Sequence, residues 1–271
     1  MSKKLDGKAL SEQILNNLKE KLQKAKIEKY IAIIVVGDNF GSQVYSKMKQ
    51  KRADEIGLKC KIFSYEETVS EDEVVNQIKL LASSSECAGI MIQHPMPKHI
   101  DEKKCFNLIP AEKDIDGLSS VSFGLLGENA PKYVPATALG IVKLIEHYNI
   151  NLVGEKVLVI GKSQIVGLPL SIMLLQKGAT VTIAHSRTKN LADEIKNNKI
   201  IIVAIGKAEF IKAEWINNNH ILIDAGYNAG NVGDIERKAY EISSMYTPVP
   251  GGVGPMTIAS LLEQSVDCIV K

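Results

Sequence analysis

Apolar positions along the first half of the chain alternate between two rhythms. Leu10, Ile14, Leu15, Leu18 and Leu22 recur at helical spacing and predict an amphipathic helix over residues 8–26. Residues 31–36 are a continuous apolar, mostly β-branched run closed by Gly37, the pattern of a buried strand ending in a turn. A helix follows, with Ser42 as N-cap, Val44, Met48 and Ile56 as its apolar stripe, and Lys47, Lys49, Lys51 and Arg52 as a basic run. Beyond Gly57 come an extended run over 58–63 and a helix capped by Ser70, with Glu73 completing a capping box and Val74, Val75, Ile78 and Leu81 facing inward. A third strand over 88–93 is broken by His94-Pro95-Met96-Pro97. Strands alternating with helices specify a parallel α/β sheet, whose ligands lie beyond the carboxyl ends of the strands. Gln93 and the turn before Tyr45 occupy that edge.

Residues 118–138 carry little periodicity and contain Gly124, Gly127, Pro131 and Pro135, which suits a connection between domains, with a helix near 137–149 bridging them. A second alternation then begins: a strand over 156–160, a glycine turn over 161–167, an apolar helix through Leu175 to Gly178, and strands over 180–184, 200–205 and 221–224. Strand, glycine turn and helix form the layout of a dinucleotide site, although Gly-x-Ser-x-x-x-Gly departs from Gly-x-Gly-x-x-Gly. An NAD site usually places an acid at the end of the next strand. Here that strand runs into His185-Ser186-Arg187-Thr188, donors suited to a 2′-phosphate, with Lys162 another cation nearby; NADP is the expected cofactor. The loop 247–257 packs three prolines and three glycines into eleven residues, so its path is fixed while its backbone can approach another element closely. From Pro255 a last helix carries Ile258, Leu261, Leu262, Val266 and Ile269 on one face and is expected to return to the first domain. The fold class is α/β in two domains: residues 1–138 with the returning helix 255–271, a parallel-sheet catalytic domain, and residues 139–254, Rossmann-like.

Composition narrows the class without changing this picture. Of 271 residues 45% are hydrophobic and 24% charged, and 33 basic residues against 31 acidic leave a net +2, so nothing global favours nucleic acid or an anionic membrane. No apolar run has the length of a spanning helix and no apolar stretch follows the first charges, which points to a cytosolic protein. The four cysteines form no Cys-x-x-Cys pair and the five histidines no ligand spacing; no metal is expected.

The chemistry centres on Tyr45 and Lys49, four apart and therefore on one helix face. Taken alone, a lysine in a basic run is most often solvated. Asp114 and Asp116, separated by one residue, are open to three readings: turn formers, a metal clip, or an acceptor for a ligand with adjacent N–H donors. Short-chain dehydrogenases also use Tyr-x-x-x-Lys, but after an N-terminal nucleotide unit; here the order is reversed. Ser42-x-x-Tyr45-x-x-x-Lys49-x-Lys51, Gln93-x-Pro95-x-Pro97, Lys113-Asp114-Ile115-Asp116-Gly117, Gly161-Lys162-Ser163-x-Ile165-Val166-Gly167-x-Pro169 and the run from Pro248 to Thr257, in this order, resemble the methylenetetrahydrofolate dehydrogenase/cyclohydrolase family. The resemblance extends from about Asp6 to the last helix.

That resemblance implies NADP-dependent oxidation of 5,10-methylenetetrahydrofolate to the methenyl cation, then hydrolysis to 10-formyltetrahydrofolate. It makes Lys49 the acid/base group, places Tyr45 beside the pterin, pairs Gln93 with the lysine, and has Asp116 grip the aminopyrimidinone edge. Pro250, Gly251 and Gly252 would line the folate pocket, and Gly161, Lys162, Ser163, Ile165, Ser186, Arg187 and Tyr227 would meet the nucleotide. The family habit is a homodimer through the nucleotide-binding domain. Several positions depart from the family pattern: His94 and Met96 stand where leucines are usual, Ser119-Ser120-Val121-Ser122 replaces His-Pro-x-Asn, Ala136 and Ala138 replace Cys and Pro, Lys162 replaces an arginine, and Gln264-Ser265 replaces Asn-Thr. Two alternatives follow: a dehydrogenase with weak or lost cyclohydrolase activity, and a non-catalytic folate- or nucleotide-binding module. A shikimate-dehydrogenase-like enzyme would share the layout but lack the Pro250-Gly251-Gly252 loop.

Overall fold

The computed structural model describes residues 2–25, 28–37 and 40–270, without the side chains of 40–44. In chain order the elements are β1 (Lys3–Lys4), α1 (Gly7–Gln23), β2 (Tyr30–Val36), α2 (Phe40–Ile56), β3 (Cys60–Tyr65), α3 (Glu71–Ser83), β4 (Cys87–Ile92), α4 (Glu102–Asn107), α5 (Ser120–Gly127) and α6 (Ala136–His147). They continue with β5 (Lys156–Ile160), α7 (Gly167–Gln176), β6 (Thr180–Ala184), α8 (Leu191–Lys196), β7 (Ile200–Val203), β8 (Ile221–Asp224), α9 (Arg237–Ile242), β9 (Met245–Tyr246) and α10 (Val253–Ile269). The chain divides into two compact units, Gln13–Val134 with Leu261–Lys271, and Met1–Glu12 with Pro135–Ser260.

The first of these holds a three-stranded parallel sheet in the order β3-β2-β4. All seven residues of β2 are buried, as a β-branched central strand covered on both faces requires. Each such side chain withdrawn from water contributes roughly 1.5–3 kcal/mol. Ser70 caps α3 by accepting the Glu73 N–H, and Val74, Val75, Ile78 and Leu81 are buried as the spacing predicts. The second extended run begins and ends two residues later than expected, at Cys60–Tyr65, because Leu58 closes the turn after α2 by donating to the Ala53 carbonyl. The far end of α10 belongs to this unit: Gln264 bonds the Val134 N–H and carbonyl and the Ile115 carbonyl, each at 2.9 Å. The last helix, expected to join the first domain from residue 255, groups with this unit from Leu261 onward, whereas residues 253–260 group with the other.

Three expectations fail here for identifiable reasons. The buried face of α2 is Ser46, Lys49, Ala53 and Ile56, whereas Met48 is 45% exposed. The 3-4-3 spacing of those four is as helical as that of the expected stripe; the inward positions simply carry polar residues. The helix also starts at Phe40, so Ser42 lies inside it rather than at its cap; the side chains of Ser42 and Val44 lie outside the described residues. The segment 118–138, expected to be a connection, contains α5. Ser119 caps it by accepting the Ser122 N–H, and the buried Asp114 carboxylate takes the Ser119 N–H and Ser122 hydroxyl, enough to hold a short helix despite its glycines.

The other unit holds a six-stranded parallel sheet in the order β1-β9-β8-β7-β5-β6. Strands β5, β6 and β8 have the expected bounds; β7 stops at Val203, two residues short, where the chain turns through Ala204 and Ile205. Connections run from β5 outward to β6, then back past β5 to β7, so the order reverses at β5 and leaves a crevice beyond its carboxyl end. Helix α6 lies wholly in this unit, and α10 begins at Val253, ahead of Pro255.

Candidate active site

In the three-stranded unit, α2 and the carboxyl edge of β4 bring two of the expected residues into contact. The Lys49 amine donates to Gln93 Oε1 at 2.9 Å and lies 3.4 Å from the Met91 sulfur; the residue is only 6% exposed. Burial pushes the Lys49 amine down from 10.5 to about 8, against the opposing pull of the Asp116 carboxylate. The lysine is thus buried rather than solvated, and the acceptor it reaches on Gln93 is an uncharged amide oxygen. Burial also holds the neighbouring Cys60 thiol at about 12, so it stays protonated and adds no charge. Tyr45, one turn earlier on α2, is half-buried.

Gln93 follows β4 directly, and its backbone N–H donates to the Ile34 carbonyl, fixing the residue to the sheet edge. Its amide nitrogen donates to the His94 carbonyl at 2.8 Å. With that donor committed, the amide oxygen is the atom left to face Lys49. The His94 ring turns the other way, toward the Glu102 carboxylate at 2.9 Å.

The two aspartates separate cleanly. Asp114 is buried and spent on the Leu118 and Ser119 N–H groups and the Ser122 hydroxyl, a structural role. Asp116 is half-buried and acts electrostatically on Lys49. Its loop is fixed from three sides: Asp114 before it, Gln264 on the Ile115 carbonyl, and Lys113, whose amine caps the end of α3 through the Ala82 and Ser84 carbonyls, each at 2.7 Å. Ser119, Ser122 and Gln264, which depart from the family pattern, are therefore used in holding this loop. Among the described residues no group of three or more metal-ligating side chains occurs.

In the six-stranded unit Gly161 ends β5 at φ +127°, and a Cβ there would lie 2.4 Å from the Ala204 carbonyl oxygen at the end of β7, so only glycine fits the floor of the crevice. Ser163 accepts the Val166 N–H and organises the start of α7. Ile165 is half-buried in that turn, and Lys162 is exposed beside it. At the end of β6, His185 and Thr188 close a tight turn: Thr188 Oγ1 accepts the His185 N–H, and His185 Nδ1 accepts the Arg187 N–H. That geometry commits His185 to the turn and leaves Ser186 and Arg187 exposed at the same sheet edge. Tyr227 follows β8, 53% exposed, with its hydroxyl donating to Asn231. The groove, the helix start and two cations suit a phosphorylated dinucleotide.

Pro250, Gly251 and Gly252 belong to this unit too. A Cβ on Gly7 would lie 1.9 Å from the Gly252 carbonyl oxygen, and the Lys8 N–H donates to Gly251 at 2.8 Å, so the loop lies backbone to backbone on the start of α1.

Sequence reasoning missed the residues that carry these loops. Asp224, 1% exposed, accepts the Gly226, Asp234 and Ile235 N–H groups and the Tyr240 hydroxyl. Asp234, fully buried, accepts the Ile205, Gly206 and Lys207 N–H groups and the Asn228 amide. The one available signal was an aspartate closing an otherwise apolar strand at Asp224. Nothing in sequence marked Glu102.

Comparison with known proteins gives a consistent result. Residues 5–116 match the family model for the tetrahydrofolate dehydrogenase/cyclohydrolase catalytic domain, and residues 135–271 that for the corresponding NAD(P)-binding domain. The chain is similar to a bifunctional protein FolD of Leptospira biflexa, 46% identical over 267 residues that cover 97% of this chain and 92% of that protein. Among solved structures it resembles the bifunctional FolD methylenetetrahydrofolate dehydrogenase/cyclohydrolase of Campylobacter jejuni, with a TM-score of 0.95, 38% identity and 99% of each chain covered. It also resembles the Trypanosoma brucei methylenetetrahydrofolate dehydrogenase-cyclohydrolase complexed with NADP and an inhibitor, with a TM-score of 0.93, 29% identity, and 99% and 97% covered.

Proposed function

The chain belongs to the tetrahydrofolate dehydrogenase/cyclohydrolase family, and from that premise we propose that it carries both reactions: NADP-dependent oxidation of 5,10-methylenetetrahydrofolate to the 5,10-methenyl cation, and addition of water to that cation to give 10-formyltetrahydrofolate. The observation that carries the catalytic assignment is the Lys49 amine, buried at a sheet edge with Gln93 Oε1 as its hydrogen-bond acceptor and its pKa brought down to about 8. A lysine in that range exchanges protons near neutral pH, which an ordinary lysine does not.

When bound, NADP supplies the hydride acceptor for the first reaction; its 2′-phosphate is assigned to Lys162, Ser186 and Arg187, and its pyrophosphate to the turn from Gly161 through Ser163 and Ile165, with Tyr227 at the nucleotide's edge. The chain's own residues manage charge and protons. Both reactions pass through a folate cation, and a charged ammonium beside it would repel it; the depressed pKa keeps part of Lys49 neutral. Gln93 holds one N–H, so the lone pair of the neutral amine is directed away from the amide. In hydrolysis that lone pair takes a proton from the water as its oxygen bonds to the methenyl carbon. The C–N5 bond then breaks, leaving the formyl group on N10 and releasing one proton overall. Asp116 accepts two parallel N–H bonds from the pterin. Tyr45 positions the ring, and Pro250, Gly251 and Gly252 present backbone to the substrate. A cytoplasmic homodimer completes the reading; among the described residues no helix is long and apolar enough to cross a membrane.

Parallel incubations with methylenetetrahydrofolate and either NADP or NAD test the assignment. NADPH and then 10-formyltetrahydrofolate should appear, with NADP preferred, and Arg187→Ala should erode that preference. Absence of both products overturns the enzymatic reading. Supplying methenyltetrahydrofolate alone isolates the second step: decay no faster than in buffer leaves a dehydrogenase only.

A further inference from the structure

The loop between β4 and α4 carries a feature that the two reactions do not by themselves explain. Glu102, the first residue of α4, folds back over the preceding turn, where it accepts the Met96 N–H and the His94 ring nitrogen. Its carboxylate is three-quarters buried, and although burial pushes its pKa up, the His94 and Met96 donors together hold it below the ordinary carboxylate value. Helix α4 is itself anchored to α3, since Glu71 accepts the Asp101 N–H at 2.7 Å and the Lys104 amine at 2.6 Å. The segment His94–Met96 is thus pinned between a fixed helix and a fixed strand. The pinned atom that matters is the His94 carbonyl oxygen, because it accepts the Gln93 amide nitrogen at 2.8 Å, and Gln93 Oε1 in turn accepts Lys49 at 2.9 Å.

An amide side chain is nearly symmetric in shape but opposite in polarity at its two ends. Without a fixed acceptor for its nitrogen, Gln93 could present N–H groups to Lys49, which would repel the ammonium and compete for the lone pair of the neutral amine. We propose that Glu102 is a positioning residue for Lys49: by holding the His94–Met96 turn it fixes the Gln93 amide with its oxygen toward the lysine. The His94 side chain serves as a donor on that carboxylate, together with the Met96 N–H, which answers how a histidine is accommodated beside Gln93. The inference rests on the assignment of Lys49 as the acid/base group, yet the link from Glu102 to the amine can be read without turnover.

The experiment compares Glu102→Ala and Glu102→Gln with the unaltered full-length protein. Steady-state kinetics are followed against pH, and the Lys49 amine is titrated by NMR of ε-carbon-labelled lysine, assigned with Lys49→Met. Glu102→Ala should lower kcat on the order of tenfold with little change in KM, since it disturbs orientation rather than binding. The Lys49 titration should move below its value of about 8, because the ammonium loses a fixed acceptor while Asp116 and Cys60 stay in place. Glu102→Gln keeps an acceptor oxygen within reach of both donors and should restore most of the rate. Should Glu102→Ala fail to fold, Glu102→Asp, which keeps the charge but shortens its reach, should show the same titration shift. A folded Glu102→Ala or Glu102→Asp protein with an unshifted Lys49 titration overturns the proposal. If the unaltered protein turns over neither folate but the titration still moves on substitution, the positioning link stands and only the functional reading falls.

Discussion

Each unit buries ionisable side chains at the carboxyl edge of its sheet, and each treats them differently. Asp224 and Asp234 receive four hydrogen-bond donors apiece, mostly backbone N–H groups of the loops they hold. Lys49, among the described residues, donates to one amide oxygen and makes the weak contact of a thioether. Burial raises the Asp224 carboxyl to about 6, still low enough to be ionised at neutral pH, because four donors resist the shift. For Lys49 burial dominates and brings the amine into the range where it exchanges protons. A saturated buried charge is scaffolding, and an under-coordinated one is held ready for chemistry.

The comparison breaks most readily at Lys49. Lys49→Met should cut both activities by roughly 10²–10⁴-fold, the range typical for loss of an acid/base group. It should also stabilise the fold at pH 7. The sign follows from linkage: with a folded pKa of about 8 against 10.5, the unfolded chain binds more protons between those values, so the unaltered protein gains stability as pH rises through that window. Below it the full cost of burying the charge applies, about 3 kcal/mol from the shift, less about 1 kcal/mol for the hydrogen bond to Gln93. Denaturant melts of the methionine variant should therefore show a gain at pH 7 that shrinks toward pH 10. A loss at pH 7 would mean that Lys49 is better coordinated than the single amide implies.

Asp224→Ala tests the opposite pole. It strands three backbone N–H groups and a tyrosine hydroxyl, all buried, and should destabilise the six-stranded unit by roughly 3–5 kcal/mol. Turnover per folded molecule should fall far less than it does in Lys49→Met. Thermal melts together with activity normalised to the folded fraction separate the two effects.

These two sites also differ in how far they could be read from sequence. Four strands of the six-stranded sheet were legible because apolar, largely β-branched runs bounded by turn residues leave little choice, and β5, β6 and β8 have the expected ends; β1 and β9, two residues each, are too short to leave a pattern. The face of α2 was not. Met48 and Lys49 are neighbours in a basic run, and pattern logic buries the methionine and solvates the lysine; the fold does the reverse. Only the combination of Tyr45, Lys49, Gln93 and Asp116 in order pointed the other way, and it pointed through resemblance rather than hydropathy. Helix α5 escaped notice because its cap depends on Asp114, a tertiary partner that looked like an ordinary turn residue. Asp234 was invisible for a similar reason: its donors are main-chain N–H groups, which every sequence contains and no pattern marks.

The finest test concerns Asp116, a carboxylate that acts on Lys49 through space. Asp116 raises the lysine's pKa, opposing burial. Removing its charge with Asp116→Asn should therefore move the titration of Lys49 below about 8, enlarging the neutral fraction at pH 7. Since Asp116 is also assigned to grip the pterin, KM for the folate should rise in the same variant. The two effects act on different observables: the acidic limb of the kcat profile shifts to lower pH, while kcat/KM falls at every pH. If the limb stayed where it is, the negative charge of Asp116 would not be acting on the lysine, and Lys49 would owe its poise to burial alone.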